Sequence, residues 1–233
     1  MKISVSKLFI FLFLASAVFT QEGDEKKPQV IPQRVFKALE AGKAQTVVIY
    51  GTSVSIMGQW ANEVDAYFQR LYPGQVTFFN SAQSGMHSIW GVENLKERVL
   101  DKQPDLVFIE FAINDAATKH GISTTDCRNN LDTMVIALKA QNPRVEIILQ
   151  TMNPAWDSPK VPKSFASDRP HLEEYYQVYR DYAMTHNFAL VDNYLVWNKV
   201  LQEDPEGFKK MVPDGIHPDS AGSSQIAWPT PAA

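Results

Sequence analysis

Short runs of consecutive apolar residues alternate along the chain with longer stretches whose apolar positions recur every three or four residues. Thr46-Val47-Val48-Ile49-Tyr50 is continuous, rich in β-branched residues and closed by Gly51, the pattern of a strand buried on both faces. Trp60, Val64, Tyr67, Phe68 and Leu71 then line one side of a helix that Pro73-Gly74 ends. The alternation continues with a strand at 76–79, a helix at 89–100, a strand at 106–111 introduced by Pro104, and a helix at 131–140 closed by Asn142-Pro143. A strand at 145–149, a helix at 171–186 and a strand at 189–191 complete it. Near-continuous apolar strands separated by helices predict βαβ units with right-handed crossovers. The expected architecture is an α/β three-layer sandwich with a five-stranded parallel sheet. The segment 156–167, with Pro159 and Pro162, reads as a surface loop bordering a site.

The N-terminus has a different pattern. Lys2 and Lys7 lead into an apolar run at 8–14, small residues follow at Ala15, Ser16 and Ala17, and 21–27 is charged. That is the order of a secretory signal, and the run is shorter than the ~20 residues a spanning helix needs. The expectation is a signal at 1–20 cleaved between Ala17 and Gln21, a linker at 21–33, and one domain over 34–233. The protein would be exported, periplasmic or secreted, with no stable membrane span after cleavage.

Composition narrows the function classes. Hydrophobic residues form 45% of the 233, enough for a substantial core. The formal net charge of -4 lacks the basic footprint that nucleic acid demands, so no nucleic-acid partner is expected. The single cysteine, Cys127, excludes an internal disulfide and a Cys-rich zinc site, and the sequence assigns no base to it.

In an open parallel sheet, chemistry gathers beyond the carboxyl ends of the strands. The first strand exits into Gly51-Thr52-Ser53-Val54, the second into Asn80-Ser81-Ala82-Gln83-Ser84-Gly85, and the third into Ala112-Ile113-Asn114-Asp115. Each carries small or amide side chains. Near the C-terminus, Asp214-Gly215-Ile216-His217-Pro218 places a carboxylate and an imidazole three residues apart around a glycine turn. The carboxylate can hold Nδ1–H and leave Nε2 as the base, which a serine hydroxyl requires to become a nucleophile. An oxyanion hole could draw on the Ser53 and Gly85 N–H groups and the Asn114 amide.

These blocks, in this order, resemble the SGNH hydrolase superfamily, the GDSL-type esterases. Gly51-Thr52-Ser53-Val54 is similar to its Gly-Asp-Ser-Leu block, Gly85 to its second-block glycine, Ala112-Ile113-Asn114-Asp115 to Gly-x-Asn-Asp, and Asp214-Gly215-Ile216-His217 to Asp-x-x-His. The resemblance implies a flavodoxin-like fold and a triad of Ser53, Asp214 and His217. It implies an oxyanion hole of Ser53, Gly85 and Asn114, and no metal or organic cofactor. Thr52 stands where the family has Asp, and Ala112 where it has Gly, adding a methyl beside the expected pocket. Only a short final helix, 220–227, can follow His217, which predicts a less buttressed loop.

Read without the other blocks, Ser53 is better taken as a helix N-cap than as a nucleophile, and Asn114-Asp115 could be a turn pair. With them, Ser53 reads as the nucleophile and Asp115 as a support for its loop. His87 and Trp156 are the candidate substrate-binding residues. The expected substrate is a small-molecule or polysaccharide ester, acetyl esters on carbohydrate first. The rivals are a lipid or lysophospholipid esterase, a thioesterase, and a non-catalytic carbohydrate-binding protein on the same fold.

Overall fold

The computed structural model describes residues 31–222. The expected signal, all of the linker before Ile31 and the chain beyond Gly222 lie outside the described residues. Helix α1 (Gln33–Glu40) leads into β1 (Gln45–Gly51), the short α2 (Ser53–Ile56), α3 (Gln59–Leu71) and β2 (Val76–Asn80). Then come α4 (Ser88–Glu93), α5 (Leu95–Arg98), β3 (Leu106–Glu110), α6 (Ala112–Asp115), α7 (Thr124–Gln141) and β4 (Glu146–Thr151). After a long connection follow α8 (Leu172–His186), β5 (Ala189–Asp192), α9 (Asn193–Glu203), α10 (Pro205–Met211) and α11 (Ser220–Gly222). All pairings are parallel, in the order β2-β1-β3-β4-β5. This is the predicted sheet and the flavodoxin-like order.

Side-chain alternation along β3 divides the core. Phe108 meets Trp60 of α3 on one face. Phe111, just past the strand end, reaches the other, where it packs against Trp90 of α4 and its N–H donates to the Tyr179 hydroxyl of α8. The tyrosines Tyr176, Tyr179 and Tyr182 are buried along α8, and Tyr175 is half-buried beside them. Among the described residues no helix is long and apolar enough to cross a membrane.

Two elements differ from expectation. The helix predicted at 89–100 breaks into α4, α5 and a 3-10 turn (Leu100–Lys102). The break falls at Asn94, whose backbone sits at φ -105° and ψ 4° and whose backbone N–H and side-chain amide both donate to the Trp90 carbonyl. Helix α7 starts seven residues earlier than predicted, at Thr124. There Ser123 and Asp126 form a reciprocal capping box, and Cys127 is fully buried in the core.

Register brings the strand exits together. Gly51 pairs with Glu110, and Ile49 with Asn80, so the ends of β2, β1 and β3 lie side by side. The one carboxylate inside strand β3 sits here. Glu110 is 1% exposed and accepts from the Thr52 N–H at 3.0 Å, the Thr52 hydroxyl at 2.9 Å and the Ser55 hydroxyl at 2.8 Å. A Cβ on Gly51 would meet the Glu110 carbonyl at 2.5 Å and its carboxylate at 2.7 Å, so only glycine allows this approach. Burial pushes the Glu110 pKa from 4.5 up to about 7, more than those hydrogen bonds pull it down.

The folded chain thus keeps a proton on Glu110 at pH values where the unfolded chain has lost it. The stability this group contributes is complete below pH 4.5 and is lost as pH rises through 7. Between about pH 5 and 8, the melting temperature of the wild type should fall relative to that of Glu110→Gln, which cannot titrate. Parallel melting curves across that range would exclude Glu110 as the titrating group.

Candidate active site

Ser53 opens α2 directly beyond β1. Thr52, extended at φ -101° and ψ -163°, precedes it as N-cap, and its hydroxyl oxygen accepts from the Val54 N–H at 3.3 Å. The same hydroxyl donates to Glu110, so the turn is pinned from within the helix and from beneath. The Asn80 amide donates to the Ser55 carbonyl at 3.0 Å and fixes the turn from the β2 side. Ser53 is 8% exposed, buried by this packing yet open at its hydroxyl.

The His217 Nε2 lies 2.8 Å from the Ser53 Oγ, and its Nδ1 lies 2.6 Å from the Asp214 Oδ2. The other Asp214 oxygen accepts the Ile216 and His217 N–H groups at 2.9 and 2.8 Å. Burial works to raise the Asp214 pKa, but those N–H groups and the imidazole outweigh it and hold the carboxyl below its ordinary value. The carboxylate therefore stays charged and fixes the imidazole tautomer, with Nδ1–H donating and Nε2 left to accept the serine proton.

Residues after β4 supply the expected missing buttress. The Trp156 N–H donates to the Gly215 carbonyl at 2.9 Å and its indole N–H to the Val212 carbonyl at 2.6 Å. Asn153 donates to the Ile216 carbonyl at 2.9 Å and Ser158 to the Pro213 carbonyl at 2.8 Å. Gly215 has φ +106°, and a Cβ there would meet the Trp156 carbonyl at 2.2 Å. The loop is thus held by four hydrogen bonds from the segment after β4. Trp156, expected as a substrate contact, is engaged instead with this loop and packs beside Trp197, Phe208 and Val212.

The third exit carries Asn114, 6% exposed. Its Nδ2 donates to the Met86 carbonyl at 2.8 Å, next to Gly85, and its Oδ1 accepts from Arg169 at 3.0 Å. Gly85 has φ +77°, the left-handed region that favours glycine. Among the described residues neither the Ser53 nor the Gly85 N–H donates to a protein acceptor. Asp115 is buried and accepts the Ser88 N–H at 2.7 Å, supporting the start of α4. The Ala112 methyl is fully buried in the core rather than on an exposed pocket wall.

His87 caps α4, and its ring lies 4.5 Å from that of His120, beside the Gly85 turn. Burial, with help from His87, Lys119 and Arg169, depresses the His120 pKa to about 4, so that ring is neutral near pH 7. Among the described residues no three His, Cys, Asp or Glu side chains gather as metal ligands. Three residues that shape the site have no role in the sequence reading: Glu110, Arg169 and Phe165. Glu110 was signalled by a charge inside an apolar strand. No local pattern marks the other two, whose partners lie about 50 residues away.

Residues 48–224, most of the chain, match the model of the GDSL-like Lipase/Acylhydrolase family. No match of significance is found among curated proteins. Among solved structures, the lipase/acylhydrolase from Enterococcus faecalis is similar, at 25% identity and a TM-score of 0.62, over 77% of this chain and 89% of that one. A catalytic mutant of Axe2, an acetylxylan esterase from Geobacillus stearothermophilus, aligns at 20% identity and a TM-score of 0.64, over 79% of this chain and 91% of that one. The five-stranded parallel sheet, the blocks at its exits and the match over most of its length make this chain a member of the GDSL-like lipase/acylhydrolase family, and so a carboxylic ester hydrolase.

Proposed function

We propose that the protein hydrolyses small acyl esters, acetyl esters on carbohydrate foremost, with Ser53 as nucleophile, His217 as general base and acid, and Asp214 as its support. The observation that carries this is the unbroken line from carboxylate to imidazole to hydroxyl, at 2.6 and 2.8 Å. His217 Nε2 takes the Ser53 proton as Oγ attacks the ester carbonyl. The negative charge formed on the carbonyl oxygen meets the Ser53 and Gly85 N–H groups and the Asn114 Nδ2–H. The intermediate collapses, the ester C–O bond breaks, and the alcohol leaves with the proton from the imidazolium. Water then gives its proton to His217 and attacks the acyl-enzyme, which releases the acid and restores Ser53. Both Nδ1–H and the charge on Asp214 stay in place throughout, so the base returns each time in the same tautomer.

The acetyl-carbohydrate reading is supported by the expected export signal and by the fold shared with an acetylxylan esterase. A longer-chain ester is the second reading, favoured by the exposed Ile56 and Met57 immediately beyond the nucleophile. The same exported setting makes the protein periplasmic or secreted.

Ser53→Ala and His217→Ala should each lower turnover of p-nitrophenyl acetate by about 10⁴-fold or more, with the fold retained by circular dichroism. Undiminished turnover in either variant would remove the triad. In a series of p-nitrophenyl esters, kcat/KM should be highest for acetate; a maximum at eight carbons or longer would favour the lipid-type substrate. N-terminal sequencing of protein recovered from the producing cells should find a mature chain starting between residues 18 and 21, and an intact Met1 would argue against export by cleavage.

A further inference from the structure

Arg169 is 6% exposed, and all its hydrogen bonds go to neutral acceptors. Nε donates to the Ile113 carbonyl at 2.7 Å, Nη1 to the Phe165 carbonyl at 3.2 Å and Nη2 to the Asn114 Oδ1 at 3.0 Å. Among the described residues it forms no ion pair. Removing a cation from water without a hydrogen-bonded counter-charge is costly, so buried arginines are normally paired. This one has no carboxylate partner and donates to the Asn114 amide, the side chain read as an oxyanion donor.

An asparagine amide has two ends of nearly equal shape, and which end faces the site is decided by its partners. The Met86 carbonyl can only accept, and the guanidinium can only donate. With Nδ2 on Met86 and Oδ1 on Arg169, both bonds are satisfied. A flipped amide would set two acceptors together at Met86 and two donors together at Arg169. The remaining Nδ2 hydrogen is then free for an oxyanion. Drawing electron density through Oδ1 also makes that hydrogen a stronger donor.

The guanidinium is itself held firmly. It lies over the Phe165 ring at 5.5 Å from the centroid, and the Arg169 N–H donates to the Ala166 carbonyl at 2.9 Å. The same Phe165 ring stands edge-on to His217 at 6.2 Å. One aromatic side chain thus braces both the base and the arginine behind the oxyanion donor.

We propose that Arg169 is a positioning residue for the oxyanion hole, locking the Asn114 amide with Nδ2 toward the Ser53 site and placing behind it a positive charge that no carboxylate hydrogen-bonds. Acting through that amide, which it orients and polarises, the charge favours the tetrahedral intermediate, with its full negative charge, far more than the neutral ester. The proposal rests on the reading of Asn114 as an oxyanion donor.

The test uses Arg169→Met, Arg169→Lys, Asn114→Ala and the Arg169→Met/Asn114→Ala double variant of the full chain. The readouts are kcat and KM on p-nitrophenyl acetate and affinity for phenylboronic acid, whose adduct with serine is tetrahedral and anionic. Arg169→Met should lower kcat by about 10- to 100-fold, below the 10²–10³ of a lost direct donor, with KM nearly unchanged. Boronate affinity should fall by a similar factor, a loss that a merely structural role would not tie to kcat. In the Asn114→Ala background the same substitution should cost less than about threefold, because the amide it orients is gone. Arg169→Lys keeps the charge without the fork and should lose about 3- to 10-fold, which carries the test if the Met variant does not fold.

Wild-type kcat and boronate affinity in a folded Arg169 variant overturn the proposal. So does an undiminished Arg169→Met effect once Asn114 is alanine. If Asn114→Ala alone leaves kcat unchanged, the oxyanion reading itself falls, and the proposal falls with it. An active Asn114 with an inert Arg169 instead removes the arginine's role and leaves the esterase mechanism standing.

Discussion

The hydrogen bond between the His217 imidazole and the Ser53 hydroxyl is the constraint on which the arrangement depends. Its partners lie 164 residues apart, one at the exit of a central strand and the other in a loop near the end of the chain. A serine turn can be set by local chemistry, and so can an Asp-His loop. Their meeting cannot. It requires the loop to be carried across the sheet edge and held to within a few tenths of an ångström, because proton transfer between the two atoms tolerates little more.

The holding is done by the long connection after β4. Its first part, from Asn153 to Ser158, binds the backbone of the His217 loop through four hydrogen bonds. Its last part carries Phe165 and Arg169, which reach His217 and Asn114. A segment that looks like a proline-containing surface loop is therefore the common support for the His217 loop and for Asn114. Supporting groups of this kind are what keep catalytic side chains within reach of their working geometry.

The strand exits concentrate ionisable groups that the core would normally reject. Glu110, Asp115 and Arg169 are all buried within a few residues of the site. None is neutralised by an ion pair among the described residues. Each is held by N–H, hydroxyl, carbonyl or amide groups instead. That is a costly way to place charge, and it gives directional control of the loops that bear Ser53, Gly85 and Asn114.

The sequence by itself determined the sheet and its strands, and it marked Ser53, Asp214, His217, Gly85 and Asn114 as the candidate site residues. It could do so because period and turn chemistry are local, and because strand exits are where a parallel sheet exposes its loops. The break at Asn94 was not legible, since the hydrophobic period carries no signal for it. Only the tertiary structure decided that Glu110 lies beneath the Thr52-Ser53 turn, that Trp156 braces a loop, and that Arg169 reaches Asn114. These are contacts between residues more than 50 positions apart, and no local pattern of side chains encodes which distant partner a buried charge will find.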